Sequence, residues 1–568
     1  MSRRILTSAL GLLVLVSVIL AGCAQATPTE APPVVTEAPA AAEPTAVPLP
    51  PFEGTSLVAS DCDYGGKFKS ITAVDRYTVE FALCAPFPAF LETLAFSVFS
   101  IYPEEWIQAT IGDGVRTADG LDKPIGTGPY MVKDWVRGES ITFERNPNFW
   151  GTPGIPETLV FRWNSEGAAR LLELQSGTVD GIDNPSPDDF DVIAGDPTLQ
   201  LIKRPALNIF YVGMTNTYPP FDKKEVRQAV AMGIDRQRIV DTFYPVGSEV
   251  ASHFTPCAIP NACVGESWYD FDPAAAKALL AEAGFPDGFD TKLYYRDVVR
   301  GYLPQVGNVA QDIQAQLAEN LGINAEIEVM ESGAFIEASG AGELNGFHLL
   351  GWGADYPHVT NFLDYHFGKD QKQFGTTFPE IYDNLIAGGQ KGIPADAEAD
   401  YVAANNAIKE LVPMVPIAHG GSAAAYRADV VTPQASPLTT EEFAFSGPGD
   451  RDVFVWMQNA EPNTMFCADE TDGEGLRACE QFVEGLYGYE VNGTDTYPKL
   501  AESCTPNEDA TVWTCVLRQG VKFHDGTDFD SADVLATWDM LLNPASPAHK
   551  GNTNLWEYAE TLWGLMWK

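Results

Sequence analysis

The sequence predicts an α/β protein with more than one core, and three observations carry that prediction. The chain has 568 residues, too many for one hydrophobic interior and enough for two or three. Residues 68–163 read as mostly β, with apolar side chains alternating along short runs. Residues 246–412 instead alternate strand-like and helical runs, the pattern of a separate unit around a mostly parallel sheet. Hydrophobic residues make up 45% of the chain and aromatic ones 11%, ample for packed interiors.

The chain opens on an address. Arg3 and Arg4 supply a positive start, residues 5–20 an apolar run, and Leu20-Ala21-Gly22-Cys23 an ending similar to a bacterial lipobox. Residues 1–23 are therefore expected to be a lipoprotein signal peptide with lipidation at Cys23; an uncleaved membrane span is the alternative for so long an apolar run. Residues 24–52 are dense in Pro, Ala, Thr and Glu without apolar periodicity. They are expected to form a disordered tether with a reach on the order of 80 Å.

Residues 70–83 (SITAVDRYTVEFAL) read as two short strands around a turn, and residues 125–150 as a Gly-rich turn followed by a hairpin that turns at Arg137-Gly138-Glu139. Residues 168–177 (AARLLELQSG) form an amphipathic helix closed by a glycine, residues 208–216 a strand, and residues 224–243 one helix. Further on, residues 273–284 and 309–321 are helical by apolar spacing, residues 324–329 a strand, and residues 395–412 a long helix.

Residues 347–367, FHLLGWGADYPHVTNFLDYHF, end a buried strand in glycines flanking Trp352, then stop at Asp355-Tyr356-Pro357. Proline has no N–H for a ladder and glycine lets the backbone pass close to a neighbour. An indole, a phenol and one carboxylate at a strand exit have the composition of a small-molecule pocket; the plainer alternative is a core Trp beside a solvated Asp. His348, His358 and His366 lie close in sequence to Asp355, but their spacing matches no standard metal motif.

Nine cysteines are present. With Cys23 set aside, the rest fall into close pairs, Cys62 with Cys84, Cys257 with Cys263, Cys467 with Cys479 and Cys504 with Cys515. In an exported chain these read as disulfides, the last stapling two facing strands. The formal net charge of −43 argues against nucleic acid and against adhesion to an anionic membrane. In the tail, Asp530 is expected to cap a helix starting at Ser531, with Asp533 at its positive end, in preference to a calcium loop through Asp525, Asp528, Asp530 and Asp533. Asp469, Glu470, Asp472 and Glu474 read as a solvated helix entry.

The stretch Trp352-Gly353-Ala354-Asp355-Tyr356 resembles the W-x-A-D-Y pocket strand of the extracytoplasmic solute-binding proteins of ABC importers, in their large oligopeptide/dipeptide/nickel-binding family. Residues 126–150 are similar to that family's GTGPY…W…ERNPNYW block, residues 174–180 to LQSGxVD, and residues 415–427 to VPIAHGG…AYR. Residues 452–467, 484–489 and 513–538 resemble the family's opening segments, yet here they follow its closing ones. Each family segment occurs once in rotated order, which implies a circular permutation joining the ordinary termini near residues 446–452. A tandem pair of truncated genes would leave duplicated segments, and none is found.

The resemblance implies a two-lobed periplasmic-binding-protein-like α/β fold, class II of the large cluster C type, with mixed sheets. It places the first lobe at residues 53–245 and 416–568 and the second at residues 246–415. The family's matching aspartate pairs with a bound peptide's ammonium, so the carried-over position is Asp355, with Trp352 and Tyr356 as pocket wall. Phe254 is expected on the cleft wall, Asn208 and Tyr211 in its lining, and Glu461 in a loop touching the ligand. The implied protein is not an enzyme. It is a monomer without cofactor or metal that captures a peptide or other small solute by hinge closure and delivers it to permease subunits, held to the membrane by its lipid. Metal chelates, haem and oligosaccharides are the alternative ligands. The rival class is an extracellular hydrolase with paired carboxylates, but GxSxG, HExxH and P-loop motifs are absent from the sequence.

Overall fold

Apolar side chains that alternate along the strands decide where the two main interiors form. In the strand Thr78–Leu83 every second side chain is buried, so one face of its sheet packs inward. The strand Asn208–Met214 is buried on both faces apart from its first residue, as a central strand must be. The computed structural model describes residues 52, 54–111, 122–298, 300–369, 371–391, 394–470, 472–551 and 556–566. The expected signal peptide, Cys23 and all of the expected tether except Phe52 lie outside the described residues. Residues from Phe52 onward form one compact unit.

A seven-stranded sheet runs Tyr130–Val136, Ser140–Arg145, Thr158–Trp163, Val453–Gln458, Gly181–Asp183, Ser422–Arg427, Leu199–Arg204. Val453–Gln458 is parallel to both of its neighbours, so the tail supplies a central strand of a sheet begun much earlier. A five-stranded sheet runs Ser56–Val58, Phe68–Asp75, Thr78–Leu83, Val512–Leu517, Ala501–Pro506. Around them one core joins head and tail: Phe68 stacks on Trp563 at 4.6 Å and Trp538 meets Trp563 edge-on at 5.6 Å. The Lys67 N–H donates to the Trp563 carbonyl at 2.7 Å.

The second core surrounds a six-stranded sheet ordered Glu249–Val250, Met414–His419, Asn208–Met214, Phe347–Gly353, Asp290–Arg296, Asn324–Met330. This sheet is mixed rather than mostly parallel. Asp290–Arg296 is parallel to both neighbours, but Asn208–Met214 enters antiparallel to both of its own. Because Asn208–Met214 belongs here, the chain crosses between the cores at residues 205–207 and not at 246. It returns at residues 420–421, between Met414–His419 and Ser422–Arg427.

Local expectations are met in most places. The helix Gly167–Ser176 ends on Gly177 at φ 75°, a left-handed turn that favours glycine. The helix Ser531–Leu542 begins with a reciprocal cap, Asp530 accepting from Ala532 N–H and Asp533 from Asp530 N–H. All four disulfides pair as expected, and Cys504 faces Cys515 across the strand pair. Three expectations fail. Residues 224–243 form two helices, Lys224–Gly233 and Arg236–Phe243, because Asp235 turns its carboxylate back to cap the second through Arg238 N–H. The long helix starts at Glu398, after a 3-10 turn over Pro394–Ala397. Asp469 and Glu470 are buried, not solvated; Glu470 accepts from the N–H groups of Thr464 and Asp472 to shape the loop.

Candidate ligand cleft between the two cores

The strand Phe347–Gly353 runs beside Asn208–Met214 toward the crossing and ends at the mouth of a cavity of about 700 Å³. Both cores contribute to its walls: Phe96, Leu476 and Tyr558 from the first, Tyr302, Leu350 and Trp352 from the second. A volume of this size suits a small-molecule or short-peptide ligand.

Asp355 sits in the loop after that strand, partly buried, and lines the cavity. Its position is fixed by the helix that follows, Val359–Phe367. The Asn361 amide donates to Asp355 Oδ2 at 2.9 Å, and Asn361 Oδ1 accepts from the Asp355 N–H at 3.0 Å and from Trp352 Nε1 at 3.2 Å. From the first core, the Tyr558 hydroxyl donates to Asp355 Oδ1 at 2.8 Å. Both carboxylate oxygens thus have neutral donors, and no Lys or Arg among the described residues forms an ion pair with them. Burial pushes Asp355 up to about 6; the Asn361 and Tyr558 hydrogen bonds oppose that and nearby Glu557 adds to it. A carboxylate held half-dry without a counterion gains when a cation arrives.

Trp352 stacks on Tyr365 with ring centroids 4.1 Å apart, making a flat aromatic wall. Tyr211 also lines the cavity, and its hydroxyl has no hydrogen-bond partner among the described residues. Arg296 and Arg300 bring positive charge to the wall. Glu480, also at the wall, is pushed up to about 7 by burial, against the pull of Lys499.

Asn208 lines the cavity, yet its amide is already engaged: it donates to the Gly420 carbonyl and accepts from the Gly420 N–H, both at 2.7 Å. It clasps the return crossing, where Gly420 leaves no room for a Cβ, which would meet the Gly301 carbonyl at 2.2 Å. Three expected residues are not in the lining. Phe254 packs behind the wall, against His366 at 4.8 Å and Phe367 at 4.9 Å. Tyr356 turns into the first core, its hydroxyl beside Thr360 at 3.2 Å. Glu461 accepts from Trp135 Nε1 at 3.0 Å and from Gly138 N–H at 3.1 Å, bracing the 137–139 hairpin turn away from the cavity.

The histidines near Asp355 are packing residues. His366 Nδ1 donates to the Phe362 carbonyl at 2.7 Å, and His358 Nδ1 engages Thr360. His348 is fully buried with neither nitrogen partnered, and burial lowers it to about 4. The metal-capable trio found among the described residues is His253 with Cys257 and Cys263, and a disulfide occupies both sulfurs.

The sequence alone does not mark Asn361, Tyr558, Glu557, Arg296 or Arg300 as cleft residues. Asn361 had a signal, since it lies in the first turn of a helix six residues after Asp355; Tyr558 lies too far along the chain for spacing to reveal it.

Two cores joined by two short crossings, with a charged and aromatic cleft between them, define a binding protein of the two-lobed kind. The model of the bacterial extracellular solute-binding proteins, family 5 Middle, matches residues 39–374 and 495–558, and the chain belongs to that family. It is a family of transport proteins, not of enzymes. Di/tripeptide-binding protein 1 of Pseudomonas aeruginosa is 31% identical over 356 residues, 61% of this chain and 65% of the relative. Heme-binding protein A of Haemophilus influenzae is 30% identical over 296 residues, 52% of this chain and 53% of the relative. The chain thus spans less than two thirds of the length of these two relatives. A dipeptide-binding protein from Pseudoalteromonas sp. SM9913, solved with Met-Leu, aligns with a TM-score of 0.58 at 26% identity over 68% of this chain and 76% of that one. The periplasmic binding protein DppA from Helicobacter pylori, solved with the peptide STSA, aligns with a TM-score of 0.57 at 25% identity over 67% and 74%. Among the described residues no helix is long and apolar enough to cross a membrane.

Proposed function

We propose that this protein captures short peptides with a free N-terminus in the cleft between its two cores and hands them to the permease of an ABC importer. The observation that carries the reading is Asp355, a partly buried carboxylate in a cavity of about 700 Å³ with no cationic partner among the described residues. A peptide ammonium supplies the missing charge, and Arg296 and Arg300 on the same wall suit a carboxylate. The peptide backbone is held by strand-edge pairing, which gives affinity without reading side chains. Closure follows from contacts made only when both cores touch the ligand. Relatives include both dipeptide-binding and haem-binding proteins, and Asp355 is what favours a peptide ligand here.

The N-terminal segment fits a lipid anchor at Cys23 with a tether through residue 52, and the protein acts as a monomer on the outer face of a membrane. The order of its segments is a rotated form of the family's. Three relationships support this: the central place of Val453–Gln458, the pairing of Val512–Leu517 with Thr78–Leu83, and the Lys67–Trp563 hydrogen bond. The lobe boundaries on this reading are residues 205–207 and 420–421.

The test is calorimetry on the full chain with Ala-Ala-Ala and its N-acetylated form, together with mass spectrometry of whatever co-purifies. Tight, uncleaved binding of the free peptide and loss of affinity on acetylation are expected. Equal affinity for both forms, or turnover of the peptide, overturns the reading.

A further inference from the structure

Asp355 is not the only acid at its end of the cleft. Glu557 lines the same cavity and precedes Tyr558, whose hydroxyl bonds Asp355. Its charge is felt by Asp355, Tyr365 and Tyr558 alike, so it stands beside both the carboxylate and the aromatic wall. Several other charges of the lining have partners of their own. Arg204 is gripped by Asp183 and Glu441, Arg296 donates to the Ser332 hydroxyl, and Glu480 feels Lys499. Glu557 is exposed and has no ion pair and no side-chain hydrogen bond among the described residues.

We propose that Glu557 makes the cleft selective for peptides that begin with lysine or arginine, ligands with a second positive charge beside the ammonium. This rests on the peptide-binding reading above and deepens it. With the ammonium on Asp355, the first side chain leaves the ligand next to the Trp352–Tyr365 stack. A lysine or arginine stem is long and apolar enough to lie along that aromatic wall, with its charged head reaching past it. Glu557 supplies the carboxylate at that reach. A neutral first side chain leaves Glu557 as it is in the empty protein, and an acidic one sets two like charges together.

The experiment is calorimetry on the full chain with Lys-Ala-Ala, Gln-Ala-Ala and Glu-Ala-Ala at low salt. The wild type is expected to prefer the lysine peptide over the glutamine one by about fivefold, the scale of a partly solvated ion pair, and to bind the glutamate peptide least. In Glu557→Gln the lysine-to-glutamine ratio should fall within about twofold, and Glu557→Lys should favour the glutamate peptide. The wild-type preference should shrink as salt is added. A wild type indifferent to the first residue, a preference that survives in Glu557→Gln, or an equal loss for all three peptides overturns the inference and leaves the peptide reading standing. If none of the three binds the wild type, the peptide reading falls and this inference falls with it.

Discussion

The Tyr558 hydroxyl and the Asp355 carboxylate meet at 2.8 Å although they belong to different cores. The residue proposed to hold the ligand is thus also a point at which the two halves of the protein touch. On the proposed reading, an arriving ammonium would join an existing bridge, and loss of the Tyr558 contact on opening would leave Asp355 with only Asn361 as a partner.

Asp355→Asn should cost at least about 2 kcal/mol of affinity for peptides with a free N-terminus, the scale of a severed partly buried charge pair. N-acetylated peptides should bind the wild type poorly and be little affected by the substitution. Calorimetry on both proteins with both peptide forms checks this, and a uniform loss would assign Asp355 a purely structural role.

Affinity should depend on pH through the same group. Asp355 is pushed up to about 6 by burial, and only its charged form pairs with an ammonium. Between about pH 7 and about pH 8 the site is ionised and affinity is level; above that the peptide's own ammonium loses its proton and affinity falls again. Below about 6 binding must first release a proton, so the dissociation constant should rise by up to about tenfold per pH unit. In Asp355→Asn that slope should vanish.

His348 should weaken the fold in acid. Burial lowers it from 6.5 to about 4, so it stabilises fully above pH 6.5 and loses that contribution as pH falls toward 4. His348→Met removes the titration at similar volume. Between pH 7 and pH 4.5 the variant should gain on the wild type by roughly 2 kcal/mol, read by urea denaturation at each pH. Parallel pH profiles for the two proteins would contradict this.

Glu441→Gln should destabilise strongly. Glu441 binds Arg204 and Arg477, both also bound by Asp183, and all four side chains are almost wholly buried. Removing one charge leaves a guanidinium short of its partner, at a cost of roughly 3–5 kcal/mol. Chemical denaturation measures it; a loss under about 1 kcal/mol would mean that water reaches the cluster.

A reordered chain tests the rotation of segments. Starting the globular part at Arg451 and joining residue 566 to Gly54 through a short linker keeps the neighbours Lys67 and Trp563 together. Such a chain should fold and bind the same peptides with affinity within about threefold of the original, because permutation at exposed sites changes few contacts. An unfolded product would count against the rotated order.

Much of the fold was legible because its signals are local. Apolar alternation marked Thr78–Leu83, a terminal glycine marked Gly167–Ser176, and the pairing of Cys504 with Cys515 followed from their closeness in sequence. Asp355, Trp352 and Tyr211 were legible as cleft residues through their motif and strand context. Sequence could place Tyr356 and Glu461 near a strand end but not orient them: one turned into the first core, the other toward Trp135. Tyr558 and Glu557 reach Asp355 only because the tail folds back beside residues 64–67, a relationship of tertiary structure that no window of sequence contains. The sequence places Asn208–Met214 in the first lobe, whereas the structure puts it in the second sheet, because nothing in a strand announces which sheet will claim it.

The ionic cluster has a mechanical consequence. Arg204 ends one strand entering the crossing, and Ser422, which accepts a hydrogen bond from it, begins the strand leaving the other. Charges so deeply enclosed cannot slide apart, and the sheet that holds them stays stiff up to the crossings. On the two-lobed reading, bending should fall at residues 205–207 and 420–421, the two short connections between these sheets. Opening should then be a swing of two unyielding jaws about a short double pivot, and a ligand between them would be either gripped from both sides or released at once.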